Sequence, residues 1–318
     1  MYHIGIDVGG TNLVAGLVEE SGRIVNKVST PVAKDMTARQ FGSELVRMSR
    51  RLCEVGEIDP DKVQTVGIGL PGVVDNKRGL FVQNPNMPFR DKDVPLREMF
   101  HEEWDVPVFL GNDANCAAVG EYWAGAAKGC DPVVMVTLGT GIGGGMVVGG
   151  RLFTGFANSG MEIGHMIIQP NGILCGCGGR GCWERYGSAS ALIQLTQLEM
   201  ERDRDSQLWE LCGHDPGQVQ GRTPFQGARL GDEAAKRVLS NYLRGLSVGM
   251  INLVNILQPE VICLGGGVSS AEDDLLLDPL RELVWQGCFD KTNHTKIVKA
   301  SLGNDAGVVG AALLHNLV

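Results

Sequence analysis

The feature that most constrains the fold is a repeated pattern of apolar strand, glycine turn and apolar strand. It opens the chain as "IGIDVGGTNLVAGLV" and returns after residue 132 as "VVMVTLGTGIGGGMVVGGRLF". β-branched residues flanking Gly/Thr turns favour two strands joined by a tight turn over a helix. The second run has no charge between Pro132 and Gly150. Its glycines would make a poor membrane helix, so paired strands are the expectation here too.

The segments after each opening also correspond. The first half reads as strand, turn, strand, strand, then a helix over 37–55, the strand "VQTVGIGL", a helix over 96–104, the strand "VPVFL", and a helix opened by "GNDANCAAVGEYWAG". The second half continues with helices over 188–200 and 233–257, the strand "EVICLGGG", a helix over 274–285, the strand "KIVKA" and a last helix from Asp305. This is the pattern of a duplicated βββαβα unit. The expected domains are a small α/β domain over 1–125, on which a C-terminal helix over 305–318 can pack back, and a larger one over 126–318. A chain of 318 residues is long enough for two cores.

Glycine turns of this kind leave backbone N–H groups unshielded, so a phosphate can approach closely. Three follow apolar strands directly: Gly9–Asn12, Gly139–Gly145 and Gly265–Gly267. Each alone can be a plain hairpin; three at strand ends point to a nucleotide. A P-loop signature is absent. Gly139-x-Gly141-x-x-Gly144, with Glu162 downstream, has the dinucleotide spacing, but that fingerprint needs a helix after the turn, and "MVVGGRLF" reads as strand. The alternative is a pair of duplicated domains, each presenting a hairpin to a triphosphate across a cleft. "GIDVGGTN" and "VTLGTGIGGG" resemble the two-domain actin-like ATPase (ribonuclease H-like) fold. In that fold Asp7 would hold Mg²⁺ through water, since Mg²⁺ keeps much of its hydration; a strand-end cap is the plainer role for it.

Three of the nine cysteines fall in "CGCGGRGCWE", at Cys175, Cys177 and Cys182. His165 lies ten residues upstream, and Pro170, Asn171 and Gly172 between them allow a hairpin to bring it back. Three thiolates and an imidazole form a common structural zinc set. Reactive thiols or simple loop packing are the other readings. The set leaves no open coordination position, so the ion's work would be to order a glycine-rich loop. The groups it would position are Glu162, Glu184 and the second ring nitrogen of His165. Such acceptors suit a ligand rich in hydroxyls.

In "VFLGNDANCAAVGEYW" a strand runs straight into a helix, with Asn112 at the N-cap and Asp113 in the first turn. An ionised carboxylate there can orient a hydroxyl and take its proton. That is enough for phosphoryl transfer, where positioning matters more than base strength. Asn112 would offer a donor and an acceptor to neighbouring hydroxyls; capping alone is the plainer role for both residues.

Taken in order, "DVGGTN", "GLPGVVD", "GNDANCAAVGE", "GTGIGGG", "EIGHM" and "CGCGGRGCWE" resemble the ROK family of repressors and sugar kinases, its glucokinase branch most of all, over essentially the whole chain. The resemblance implies ATP-dependent phosphorylation of a hexose at its 6-hydroxyl, glucose first, with an N-acetylhexosamine or fructose as alternatives. It makes Asp113 the base and Asn112, Glu162, His165 and Glu184 sugar contacts. It gives ATP the residues Gly9, Gly10, Thr11, Asn12, Thr140, Gly141, Gly265 and Gly266, and zinc the ligands His165, Cys175, Cys177 and Cys182. It also implies a homodimer or homotetramer. Two departures touch the sugar's identity. "NPNMPFRDKDVPL" has Phe89 where many relatives have a nearby tryptophan, and Trp183 stands in "GCWE" at a position more often aliphatic; both are expected near the sugar.

A sugar-responsive repressor needs a basic helix-turn-helix ahead of this region. The first strand begins by Tyr2, and the net charge of −9 argues against nucleic acid or an anionic membrane as partner. No basic leader with an apolar stretch opens the chain, and the clustered thiols suit a reducing compartment, so a cytoplasmic location is expected.

Overall fold

Apolar runs with few charges form the inner strands of two five-stranded sheets, because both faces of those strands are covered. The structure, a computed structural model, describes residues 1–83, 87–292 and 295–318. In chain order the elements begin with β1 (Tyr2–Val8), β2 (Asn12–Glu19), β3 (Ile24–Pro31), α1 (Ala38–Val55) and β4 (Val63–Leu70). There follow β5 (Val73–Asp75), β6 (Leu80–Gln83), α2 (Leu96–His101), β7 (Val108–Asn112) and α3 (Asp113–Ala124). Next come β8 (Val133–Leu138), β9 (Ile142–Val148), β10 (Arg151–Leu152), α4 (Glu184–Gly187), α5 (Ala189–Arg202), α6 (Leu208–Leu211) and α7 (Thr223–Arg229). The chain ends with α8 (Glu233–Leu257), β11 (Val261–Gly265), α9 (Leu277–Gly287), β12 (Lys296–Lys299) and α10 (Ala306–Ala312).

The sheets run β3-β2-β1-β4-β7 and β10-β9-β8-β11-β12. In each, the first strand lies centrally, a meander extends to one side and two later strands to the other, so the duplicated unit and its actin-like fold are realised. β1 pairs antiparallel with β2 and parallel with β4, and β4 parallel with β7. Parallel neighbours need long crossovers, which α1 and α2 supply.

Contacts divide the chain into two compact units, one of residues 1–135, 145–161 and 300–318, the other of 136–144 and 162–299. In the first, Ile4, Ile6, Leu13, Phe41, Leu45, Leu52, Ile68 and Leu110 are wholly or almost wholly buried in one core. α1 starts where Thr37 closes a capping box with Gln40. α10 lies directly on β1 and β4. A Cβ on Gly5 would stand 1.9 Å from the Val308 carbonyl, and one on Gly67 1.7 Å from that of Ala311, so glycine is required for helix and sheet backbones to meet. The last helix is shorter than the run from Asp305 to the end: it stops at Ala312 because His315 Nδ1 bonds the Ala312 carbonyl and a 3₁₀ turn follows. α2 likewise ends at His101, whose Nε2 meets the Val106 carbonyl at 2.9 Å, rather than at Trp104.

The second unit is organised on α8, whose buried side includes Tyr242, Leu246, Met250 and Leu253. Three short helices, α4, α6 and α7, add to those expected from the sequence; with four, four and seven residues they are too brief to show a periodic apolar stripe. Among the described residues no helix is long and apolar enough to cross a membrane.

Candidate active site

In the first unit the β1–β2 turn is closed by Gly9 N–H donating to the Asn12 carbonyl at 2.9 Å, and Gly9, Gly10, Thr11 and Asn12 are all exposed. Asp7 sits one turn behind, on β1. Burial and then the charge of Asp113 push its carboxyl up to about 6. The start of α10 comes against it: a Cβ on Gly307 would stand 2.8 Å from the Asp7 carboxylate. That contact has no signal in the letters, since nothing local in "NDAGVVG" ties it to β1.

Asn112 caps α3 as its position predicts. Its Oδ1 accepts from Ala114 N–H at 2.9 Å and Asn115 N–H at 3.3 Å, and its Nδ2 donates to the Gly72 carbonyl at 3.1 Å. The amide oxygen is therefore committed to the helix, and what the side chain retains for a ligand is an N–H donor. Asp113 is exposed, and its Oδ1 accepts from Ala114 N–H at 2.8 Å. Glu121, further along α3, is wholly buried and accepts from Ala126, Ser301 and Leu302 N–H at 2.7, 3.0 and 2.8 Å, which fixes the helix that carries Asp113.

In the second unit the turn after β8 is narrower than the glycine run suggests. Gly139 N–H donates to the Gly141 carbonyl at 3.1 Å, and β9 begins at Ile142, so the glycines from 143 onward are strand residues. A strand after this turn is what a dinucleotide fingerprint forbids. Gly265 ends β11, and Gly266 has φ +84°, with a Cβ there 2.5 Å from the Leu138 carbonyl. The Gly139–Gly141 and Gly265–Gly266 turns thus lie side by side, and Thr140 is exposed between them and solvent.

The hairpin over residues 166–182 returns the thiols to His165. Isolated bridges pair Ile167 with Cys182 and Leu174 with Arg180, and Gly181 has φ +81° with a Cβ there only 1.8 Å from the Gln169 carbonyl. The ligand atoms of His165, Cys175, Cys177 and Cys182 all lie within 4.8 Å of one another. Cys177 Sγ is 3.6 Å from Cys182 Sγ, and Cys175 Sγ is 3.8 Å from His165 Nδ1. These are the spacings of tetrahedral sulfur and nitrogen ligands around one ion, so the donor set fits a structural zinc. Nδ1 faces the thiols, which leaves Nε2 as the outward nitrogen. Burial, more than the hydrogen bond to Glu184, pushes the Cys175 thiol up to about 12, whereas the Gly179 amide and the other thiols lower that of Cys177.

Glu184 is the first residue of α4. Its Oε1 accepts from the Cys175 thiol at 2.9 Å and lies 3.9 Å from His165 Nδ1, while a Cβ on Gly141 would stand 2.6 Å from its Oε2. One carboxylate thereby joins the cysteine hairpin to a glycine turn. Glu162 is exposed at the head of a 3₁₀ turn that also carries His165.

Both aromatic departures are buried. Trp183 is 0% exposed; its indole N–H donates to the Gly245 carbonyl at 3.1 Å, and a Cβ on Gly249 would fall 2.0 Å from the ring. Phe89 packs in the first unit's core, its ring centroid 5.5 Å from that of Phe41 in a tilted pair and 6.4 Å from that of Phe81 edge-on. Both are packing residues. The Asn84–Asn86 segment before Phe89 lies outside the described residues.

Two sheets of identical strand order, each opening on a Gly/Thr turn, define the actin-like ATPase class. Within it the chain matches the ROK family over residues 3–317, and it belongs to that family. It is 36% identical to a glucokinase of Thermotoga maritima over 97% of this chain and 95% of that one. It is 35% identical to a glucokinase of Streptomyces coelicolor over 97% of this chain and 96% of that one. The structure resembles that of a ROK family glucokinase from Streptomyces griseus in complex with glucose and AMPPNP, at 34% identity, with a TM-score of 0.83 and 99% of each chain covered.

Proposed function

We propose that this chain transfers the terminal phosphoryl group of ATP to the 6-hydroxyl of a hexose, glucose first. The observation that carries this reading is the similarity to glucokinases over nearly the whole chain, at 36% identity over 97% of it in sequence and with a TM-score of 0.83 over 99% of it in structure. Asp113, exposed at the start of α3, orients the 6-hydroxyl and takes its proton as the oxygen attacks phosphorus. Asn112 donates its remaining N–H to a sugar hydroxyl. Glu162, Glu184 and His165 Nε2 accept from others. Backbone N–H groups at Gly9–Asn12, Thr140–Gly141 and Gly265–Gly266 serve the phosphates. Asp7 is the residue that would hold Mg²⁺, which when bound supplies charge neutralisation at the phosphates. His165, Cys175, Cys177 and Cys182 would hold Zn²⁺, which when bound fixes the hairpin preceding Glu184. The protein works in the cytoplasm as a homodimer or homotetramer, a point that light scattering on a sizing column decides.

The test is a screen with ATP and Mg²⁺ across glucose, mannose, fructose, N-acetylglucosamine and N-acetylmannosamine. Turnover highest on glucose is expected. Turnover highest on an N-acetylated sugar would replace glucose as substrate, and no turnover on any of them would end the kinase reading.

A further inference from the structure

We infer that Trp183 is a positioning residue for the proposed sugar contacts: it locks α4, and with it Glu184, onto α8. The inference rests on the kinase reading in taking Glu184 and His165 as the contacts that it serves.

The need for such a lock follows from length. α4 has four residues, and Glu184 is the first of them. A helix this short has no stability of its own, so packing decides where its side chains point. The cysteine cluster does not decide it alone. An ion on Cys182 would fix that thiol, but not the direction in which the chain leaves it on the way to Glu184.

Trp183 sets that direction with both its backbone and its ring. Its N–H donates to the Met166 carbonyl at 2.8 Å, next to His165, and its own carbonyl accepts from Tyr186 and Gly187 N–H at 2.9 and 3.0 Å. The start of the hairpin and α4 therefore meet on one residue. The ring is wholly buried, in a notch that α8 opens by carrying glycine at 245 and again at 249, about one turn later. The indole N–H donates to the Gly245 carbonyl at 3.1 Å. A Cβ on Gly249 would fall 2.0 Å from the ring, and one on Gly245 would fall 2.9 Å from Tyr186 Cβ, so the fit has no slack. Two hydroxyls secure the rest. Tyr242, buried on α8, donates to the Gly187 carbonyl at 2.7 Å, and Tyr186 accepts from Ile173 N–H of the hairpin at 3.0 Å. A helix of 25 residues thus aims Glu184 through a rigid indole. Misplacing a ligand group by about 1 Å can cost roughly 100-fold, so the lock matters to sugar binding and not only to stability.

Gly249→Ala tests it, because it leaves every proposed sugar, phosphate and metal residue unchanged while driving a methyl into the ring. Glucose affinity by calorimetry without ATP should fall by at least about tenfold, with KM for ATP and zinc content as in the parent. Trp183→Leu empties the notch without a clash and should weaken glucose by at least roughly threefold. In the double variant the new methyl takes up part of the vacated space, so glucose should bind better than in either single variant. Parental glucose affinity in Gly249→Ala despite a lower melting temperature would reduce Trp183 to a structural residue. Additive losses in the double variant would deny the coupling, and loss of zinc would assign the effect to the ion; each overturns the proposal. If Gly249→Ala does not fold, Trp183→Leu decides by the same measure, with parental affinity overturning it. Hydrogen exchange over residues 166–187 reads the lock without any sugar: faster in both single variants and slowed again in the double. That pattern in a chain that binds no glucose would end the sugar reading and leave the lock, whereas glucose binding with unchanged exchange would end the lock alone.

Discussion

Glu184 Oε1 lies 2.9 Å from Cys175 Sγ, so a proposed sugar ligand sits directly against a member of the Cys₃His cluster. Cys177, the exposed thiol of the three, meets the cluster through Cys182, its Sγ 3.6 Å from that sulfur. Cys177→Ser should therefore remove bound zinc while leaving Glu184 and His165 chemically intact. Glucose affinity is expected to fall by roughly 10- to 100-fold through loss of position alone. Elemental analysis and glucose titration check it together; unchanged zinc content would remove the metal site.

The same carboxylate limits Gly141. A Cβ there would stand 2.6 Å from Glu184 Oε2, the end of a flexible side chain, so Gly141→Ala should fold and push Glu184 aside. The expected result is a rise in KM for glucose of between about 10- and 100-fold. Gly266→Ala meets the Leu138 carbonyl at 2.5 Å and needs φ +84°, so backbone must move. It should lower stability by at least roughly 1–3 kcal/mol and raise KM for ATP. Thermal melts and the two KM values separate these outcomes.

Asp113→Asn keeps the side chain's size and leaves the Asn112 cap in place. Loss of the proton acceptor should reduce kcat by about 10²- to 10⁴-fold with glucose binding retained. Near-normal turnover would refute the base assignment.

Much of this was legible in the letters because local rules decided it. Thr37, Asn112 and Ser188 each cap a helix where a polar residue precedes an apolar run, and α8 spans the 233–257 stretch read from the sequence. The cysteine hairpin was legible because Pro170, Asn171 and Gly172 mark its turn, with Asn171 at φ +56°. The packing of Trp183 and Phe89 was not legible, since their partners are distant in sequence: Gly245 and Gly249 for the indole, Phe41 and Phe81 for the phenyl ring. Spacing cannot announce such contacts. Three-residue β5 was too short to show alternation, and the loss of Asn112's oxygen to its own helix follows from capping geometry rather than residue type.

Two buried groups in the first unit titrate in opposite senses over one pH window. Burial, then Asp113, raises Asp7 from 3.8 to about 6, so the stability it contributes is present below pH 4 and is lost as pH rises through 6. His3 hydrogen-bonds Thr65 at 2.8 Å and stacks on His315 at 4.5 Å. Burial, then the charge of His315, lowers it from 6.5 to about 4, despite an opposing pull from Glu20, so its contribution is full above pH 6.5 and lost as pH falls through 4. Each shift corresponds to roughly 3 kcal/mol, and in the ligand-free protein the two nearly cancel. Asp7→Asn should unmask the histidine: stability would then rise between pH 4 and 6.5, and at pH 7 the variant should exceed the parent by up to about 3 kcal/mol while losing turnover. Urea melts across that pH range measure it. A variant no more stable than the parent at pH 7 would show that the Asp7 carboxylate is not penalised where it sits.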